Sequence, residues 1–143
     1  MIDILIENGM EGAEKSRIVR KAVFVEEQGV PQEIEDDEFD AEAVFANLYE
    51  DGEIKATARY IIKNKECLIG RVAVLKSDRC RGFGEGVMAV LMDEIFANNI
   101  SEINIHSQVQ AKKFYEQLGF KPYGDVYLEA GIEHINMKII KKR

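Results

Sequence analysis

The chain has 143 residues and a mass of 16.2 kDa, and its 46% of hydrophobic residues suffice for one sizeable core, so we expect one domain over residues 1–143. Twenty-six acidic against 19 basic residues give a formal net charge of −7, which opposes binding to nucleic acid or to an anionic membrane surface. No stretch approaches the ~18 apolar residues of a membrane span, residues 1–5 lack a leader pattern, and two isolated cysteines fit a reducing compartment. We therefore expect a cytoplasmic protein.

The first third of the chain predicts a strand, a helix and an acidic loop. Residues 2–7 have the pattern of a strand, which Asn8-Gly9 ends. Apolar residues then recur at helical spacing over residues 10–27, and the expected buried stripe contains Ile18, Val19, Ala22 and Val23. Residues 33–42 carry seven carboxylates in ten positions, so we expect this segment to be solvated and able to attract a cationic ligand.

Three strands of a meander follow. Residues 43–50 and 53–63 flank Asp51-Gly52, a pair that favours a tight hairpin, and residues 67–74 supply the third strand. The strand over residues 53–63 alternates, which predicts one buried and one exposed face. We assign one face to Ile54, Ala56, Ala58, Tyr60 and Ile62 and the other to Lys55, Thr57, Arg59 and Lys63.

The second half reads as alternating strands and helices. A helix is expected to about residue 98, with Val87, Val90, Leu91 and Ile95 as its inner stripe. Strand 102–106, a helix over 108–118 and strands 121–128 and 132–140 follow, before a basic tail at residues 141–143. Because a strand, a helix and a strand imply a right-handed crossover, segments 68–74 and 102–106 should pair in parallel. The chain therefore predicts an α/β (α+β) fold, with a mixed sheet of six to seven strands flanked by helices.

The glycine-rich loop from Arg81 to Gly86 is the clearest functional signal. Three alternating glycines before a helix allow several N–H groups to point at one anion, and the helix adds its positive dipole end. Arg79 and Arg81 would supply two permanent cations for phosphate oxygens. Val87 replaces the last glycine of a dinucleotide fingerprint, and Val87-Met88 replaces the Lys-Ser or Lys-Thr of a P-loop. A simple tight turn remains the alternative to a phosphate cradle.

The loop and three further segments carry a family resemblance. Arg81-x-x-Gly84-x-Gly86 resembles motif A of the GCN5-related N-acetyltransferases, the GNAT family. Residues 108–115 resemble that family's Asn-x-x-Ala-x-x-x-Tyr signature, with Gln108 in place of the asparagine. Residues 24–31 and 131–137 resemble the ElaA/YjcF-like branch. The resemblance implies a single acyl-CoA N-acyltransferase domain, whose two parallel strands splay apart at the coenzyme A site.

The resemblance also implies an activity: direct transfer of an acetyl group from acetyl-CoA to the amine of a small molecule or peptide. The residues expected to bind the cosubstrate are Val72, Ala73, Val74, Arg79, Arg81, Gly82, Phe83, Gly84, Glu85, Gly86, Gln108, Ala111 and Phe114. Tyr115 is the expected proton donor to the departing thiolate, although an aromatic residue at this spacing also suits a core. Glu27 and His134 are the expected bases. Glu26 and Glu33 are open as further candidates, and His106, the other histidine, is also placed on a strand. Solvated glutamates and structural histidines are the alternatives.

Two other functions stay open at this stage. The chain could be a coenzyme A sensor without turnover, or an acyltransferase like the acyl-homoserine-lactone synthases that takes a longer acyl donor. A homodimer is also left open. Because no His-x-x-x-His or Cys-x-x-Cys spacing occurs, we expect no metal site.

Overall fold

A computed structural model describes residues 1–141, so Lys142 and Arg143 of the expected basic tail lie outside the described residues. Within this range, seven strands form one mixed sheet in the order β1-β2-β3-β4-β5-β7-β6, together with four α-helices. The strands are β1 (Ile2–Asn8), β2 (Val44–Glu50), β3 (Glu53–Lys63), β4 (Glu66–Val74), β5 (Glu102–Gln108), β6 (Lys121–Glu129) and β7 (Ile132–Ile140). The helices are α1 (Gly9–Arg20), α2 (Gln32–Glu35), α3 (Phe83–Ala97) and α4 (Lys112–Gln117). None of the described helices is long and apolar enough to cross a membrane.

The sheet consists of two antiparallel parts joined by one parallel pair. Strands β1 to β4 form a continuous antiparallel meander, and β5, β7 and β6 form the second antiparallel part. Strands β4 and β5 run parallel, but only residues 67–69 and 103–105 pair. Beyond these pairs the two strands separate toward their C-terminal ends. The predicted fold class and the splayed parallel strands are thus confirmed.

Helix α3 covers one face of the sheet and forms the main apolar core. Of its predicted inner stripe, Val87, Leu91 and Ile95 are fully buried, whereas Val90 is only partly so. These side chains pack against alanines of β2 and β3 and isoleucines of β4 and β5. Burial of the apolar face of α3 therefore provides the main hydrophobic stabilisation of the fold.

Helix α1 lies on the opposite face, and it approaches the strands closely. A Cβ atom at Gly12 would lie 2.6 Å from the carbonyl oxygen of Glu7, so only glycine permits this contact. Residues 21–27 continue α1 as a π-helix, so the predicted helix has the right extent but changes its winding. Val19 and Val23 are buried as predicted, but the prediction for Ile18 is wrong, since 56% of it is exposed.

Strand β3 departs from the predicted one-sided burial. Thr57 and Arg59, which were assigned to an exposed face, are buried beneath α1. A β-bulge opposite residues 48 and 49 moves Ile54 to the side of α1, where it packs with Val19 and Val23. Ile62 lies near the strand end and is more than half exposed. Because helices cover both faces of this central strand, alternation of polar and apolar residues does not indicate exposure.

The acidic segment at residues 33–42 is not simply solvated, which corrects another expectation. Glu35 is 2% and Asp40 is 1% exposed. The guanidinium of Arg20, itself fully buried, donates to Glu35 at 3.0 Å and to Asp40 at 2.9 Å. Arg59 donates to Asp40 at 2.7 Å. Buried carboxylates are tolerated here because arginines of α1 and β3 pair with them.

Candidate active site

A cavity of about 730 Å³ opens where β4 and β5 separate. Its walls come from the π-helix, the acidic segment, β4, the start of α3, the end of β5 and the turn between β6 and β7. The residues predicted for function that line it are Glu27, Val72, Ala73, Val74, Arg79, Gly82, Phe83, Gly84, Glu85, Gln108, Ala111, Phe114, Tyr115 and His134. Arg81 and Gly86 are not among the lining residues. A volume of this size is typical of small-molecule and cofactor sites.

A bulge in β4 shapes one wall of the cavity. Gly70 pairs with Arg59 and Ala73 pairs with Thr57, so β4 has one residue more than β3 in this interval. Arg71 within the bulge has φ +53°, a left-handed conformation that is uncommon for a residue with a side chain. The bulge interrupts the ladder between β3 and β4 beside the cavity. Such interruptions re-aim backbone donors and side chains next to active sites.

The first turn of α3 supplies backbone donors. Gly82 caps the helix with φ +81°, and the N–H of Gly86 already donates to the carbonyl of Gly82 at 3.0 Å. The N–H groups of Phe83, Gly84 and Glu85 belong to the first turn and have no intrahelical acceptor. These three groups, rather than that of Gly86, are therefore the donors available to an anion.

The last two glycines of the loop have a packing role that the sequence interpretation missed. A Cβ atom at Gly84 would lie 3.2 Å from the ring of Phe114 and 3.6 Å from Val74. A Cβ atom at Gly86 would lie 3.1 Å from Ile4, on the side of α3 that faces the sheet. Both glycines thus let α3 pack closely on its neighbours, so a valine at Gly84 would displace Phe114 as well as affect a ligand.

The two predicted phosphate-binding arginines have different surroundings. Arg81 leaves the cavity: it pairs with Glu50, donates to Asp78 at 3.0 Å, and its guanidinium lies 4.4 Å from the centre of the Phe83 ring. Arg79 does line the cavity, and it donates to both oxygens of Glu27 at 2.6 and 2.8 Å. The hydrogen bond from Arg79 lowers the pKa of Glu27, which weakens that carboxylate as a base.

Tyr115 lies on α4 and packs into the apolar side of the cavity. Its ring makes edge contacts with Phe114 and Phe120, at centroid distances of 5.0 and 6.0 Å. Burial raises the pKa of the phenol, so the hydroxyl stays protonated. Within residues 1–141, none of the hydrogen bonds formed by side chains involves this hydroxyl. It is therefore free to donate to a ligand.

The side-chain amide of Gln108, which stands where the family signature has asparagine, bridges to the end of the π-helix. It donates to Gln28 at 2.8 Å and accepts from Gln110 at 2.8 Å. The bridge joins two segments 80 residues apart in the chain. In this arrangement the amide holds two walls of the cavity together.

Two histidines and a carboxylate that contacts both of them lie where the end of β5 meets the turn between β6 and β7. His134 is 6% exposed, and its Nδ1 lies 2.7 Å from the carbonyl oxygen of Ile132. Nε2 of His134 and Nδ1 of His106 are each 3.5 Å from an oxygen of Glu129. Contact with His106 lowers the pKa of Glu129, although burial opposes this shift. No three such side chains in the described part of the chain have the arrangement of a metal site.

Sequence reasoning singled out His134 and weighed His106, but it missed Glu129. The predicted hairpin of residues 121–128 and 132–140 could have indicated that Glu129 lies close to His134. Strands β6 and β7 pair Tyr127 with His134 and Glu129 with Ile132, so the glutamate lies two residue pairs beyond the histidine along the same hairpin. Side chains two positions apart on paired strands can contact each other.

Comparison with known proteins places the chain among acyltransferases. A family model of an acetyltransferase (GNAT) domain matches residues 7–141. The uncharacterized N-acetyltransferase YjcF of Bacillus subtilis is 33% identical over 120 residues, covering 83% of this chain and 86% of that protein. ElaA of Escherichia coli has a TM-score of 0.84 at 26% identity, with coverage of 96% and 99%. BjaI, a CoA-dependent acyl-homoserine lactone synthase solved with isopentyl-CoA, shares the fold alone, with a TM-score of 0.81 at 14% identity and coverage of 100% and 85%.

Proposed function

Since the chain belongs to the GNAT family of acetyltransferases, we propose that it transfers the acetyl group of acetyl-CoA to the amine of a small molecule or peptide. The family and the acyltransferase activity predicted from the sequence are confirmed. One observation supports the specific reaction: a single cavity joins the free N–H groups of α3, the gap between β4 and β5, and the hydroxyl of Tyr115.

The residues present suit acetyl-CoA as the cosubstrate. The N–H groups of residues 83–85 and the positive end of α3 suit a pyrophosphate. Val72, Ala73 and Val74 would line the pantetheine arm, and Ala111 and Phe114 would contact it from the other wall. When bound, acetyl-CoA supplies a thioester carbon that an amine can attack. Arg79 would contribute its charge at the phosphate end, where Glu27 now holds it.

We assign Tyr115 the role of the acid that donates a proton to the leaving sulfur of coenzyme A. As the amine nitrogen bonds to the acyl carbon and the C–S bond breaks, the leaving sulfur gains from a proton, because the pKa of a free thiol is about 8.5. The buried phenol remains protonated and has no competing partner within the described residues, so it is suited to donate. The ring contacts with Phe114 and Phe120 would keep the hydroxyl in place.

We assign the base to His134 and give Glu27 a different task. The carboxylate of Glu27 holds Arg79 through two hydrogen bonds, so its lone pairs are engaged. Among the described residues, by contrast, His134 forms a side-chain hydrogen bond only through Nδ1, to the carbonyl of Ile132. In the neutral imidazole its Nε2 therefore carries the lone pair that can accept a proton.

A coenzyme A sensor without turnover is the second candidate. The observation in its favour is the amide of Gln108, which is bonded to Gln28 rather than free for a ligand. The third candidate is an acyltransferase that accepts a longer acyl chain than acetyl from its acyl-CoA donor. Both alternatives are separated from acetyl transfer by the assay below, run with acetyl-CoA and with longer acyl-CoA donors.

The test measures coenzyme A release over a panel of amines, amino acids and peptides, together with coenzyme A affinity by calorimetry. Tyr115→Phe should keep its coenzyme A affinity and its stability but lose about 10-fold to 10⁴-fold in kcat. Tyr123→Phe is the matched control, because Tyr123 is 40% exposed and does not line the cavity. An unchanged kcat for Tyr115→Phe, where chemistry limits the rate, would assign the residue to packing alone. Coenzyme A binding without release for any acceptor would favour the sensor.

A further inference from the structure

The carboxylate of Glu129 differs from those of Glu35 and Asp37 in the same cavity because no arginine or lysine of the described residues forms a salt bridge with it. Glu35 and Asp37 also line the cavity, and Arg71 pairs with both at 2.7 and 3.1 Å. Glu129 has no lysine or arginine within 4.0 Å in the described part of the chain, where the imidazoles of His106 and His134 are its contacts at that range. Contact with His106 is the main cause that lowers the pKa of Glu129, and the charge of Arg71 contributes from further away. About half of its side chain is exposed, so an incoming ligand can reach it.

The hydrogen bond of His134 determines which nitrogen faces Glu129. Because the carbonyl of Ile132 can only accept, Nδ1 of His134 carries a proton, so in the neutral imidazole Nε2 carries the lone pair. That lone pair lies 3.5 Å from Oε2 of Glu129, so two acceptor atoms stand side by side without a donor between them. A tetrahedral ammonium group, which has three donors, can donate to both atoms at once.

We propose that Glu129 and His134 bind the ammonium group of the acceptor and that Nε2 of His134 removes one of its protons, an inference that rests on the proposed acetyl transfer. Glu129 then stabilises the imidazolium that forms beside it. The freed nitrogen lone pair forms the C–N bond, and the C–S bond breaks. Tyr115 gives its hydroxyl proton to the sulfur and regains one from the nitrogen, and His134 later returns its proton to water.

The surroundings of Glu129 also indicate the class of acceptor. An amine with a carboxylate on the same carbon would bring a second negative charge next to Glu129, whereas an amine without one would not. The structure therefore favours primary amines over α-amino acids.

Phenethylamine and phenylalanine test this class, since they differ only in the carboxylate. Glu129→Gln keeps the shape of the side chain and removes its charge, and Glu133→Gln is the control, because Glu133 is exposed on the same hairpin and does not line this cavity. We expect the KM for phenethylamine to rise by about 10-fold or more in Glu129→Gln, the effect of one lost charge-assisted hydrogen bond, with unchanged acetyl-CoA affinity. Equal KM values in Glu129→Gln and the parent, or a preference for phenylalanine, would overturn the proposal.

A second measurement does not depend on turnover. In ¹⁵N spectra of the imidazoles, the proton of His134 should reside on Nδ1, and added phenethylammonium should shift the Nε2 resonance in the parent but not in Glu129→Gln. A proton on Nε2 of His134 in the free enzyme, or a shift that persists in Glu129→Gln, would overturn the ammonium site. If acetyl-CoA binds and the shift occurs but coenzyme A is never released, the proposed acetyl transfer fails while the binding site stands.

Discussion

The two faces of the sheet are stabilised in different ways. Beneath α3 the contacts are apolar, and Val87, Leu91 and Ile95 are fully buried among alanines and isoleucines of the strands. Beneath α1 the strands meet a network of arginines and carboxylates in which Arg20 and Asp40 are as deeply buried as any core residue. The first face follows from local hydrophobic periodicity. The second depends on pairing charges that are distant in sequence, so its stability should respond to different changes.

The largest effect is expected from removing the central cation of the network. Arg20→Ala leaves Glu35 and Asp40 without a main partner, and breaking a buried ion pair typically costs about 3–5 kcal/mol. The free energy of unfolding in urea measures this loss. Arg17→Ala, at an arginine whose side chain is 35% exposed, is the control and should cost less than about 1 kcal/mol. Similar losses in both variants would contradict the distinction between buried and exposed pairs.

The apolar face should respond to a cavity instead. Leu91 is fully buried in the core beneath α3, and Leu91→Ala should lower the free energy of unfolding by about 3 kcal/mol. Because no titratable group is removed, this loss should be the same near pH 7 and near pH 4. A loss that changed with pH would show that the two faces are coupled.

The network face should be the one sensitive to acid. Burial alone would raise the pKa of Asp37, but hydrogen bonds and charges from Arg59 and Arg71 lower it below 3.8. A lowered folded pKa means that Asp37 stabilises the fold above about pH 4, the region of the unfolded pKa, and that this stabilisation is lost as the pH falls through the folded value.

Asp37→Asn tests that dependence. It should lose about 1–3 kcal/mol near pH 7, and its difference from the parent should shrink below about pH 4. Urea titrations at several pH values measure both quantities. A difference that stayed constant down to pH 2 would mean that Asp37 contributes by packing and not by charge.

The smallest effect is expected at a position that the sequence placed in the core. Ile18 is more than half exposed, so Ile18→Ala should change the free energy of unfolding by less than about 0.5 kcal/mol. Val19→Ala, at the adjacent and fully buried residue, should cost about 2 kcal/mol. A larger loss of unfolding free energy in Ile18→Ala than in Val19→Ala would contradict the orientation of α1 described above.

The structure beneath α3 could largely be predicted from the sequence, whereas the charge network beneath α1 could not. The order of the strands and of the helices other than α2, the turn at Asp51-Gly52 and most inner residues of α3 were predictable, because turn residues and apolar spacing are local signals. The pairing of Arg59 with Asp37 and Asp40 was not, since it joins positions 22 and 19 residues apart through tertiary structure.

The candidate site shows the same limit. Backbone donors at the start of α3 follow from the glycine pattern and the helix that it opens. The turn of Arg81 away from the cavity and the approach of Glu129 to two histidines depend on side-chain partners that no local pattern encodes.

The short parallel pairing of β4 and β5 has a thermodynamic consequence. In the part of the chain that the structure describes, only residues 67–69 and 103–105 join the two antiparallel parts of the sheet directly, and the cavity begins where this pairing stops. A ligand that touches both parts therefore acts as a reversible cross-link between them. By linkage, a ligand present at 100 times its Kd would add about 2.7 kcal/mol to the stability of the native chain. The gap that weakens the sheet is thus the place where a bound cosubstrate can strengthen it.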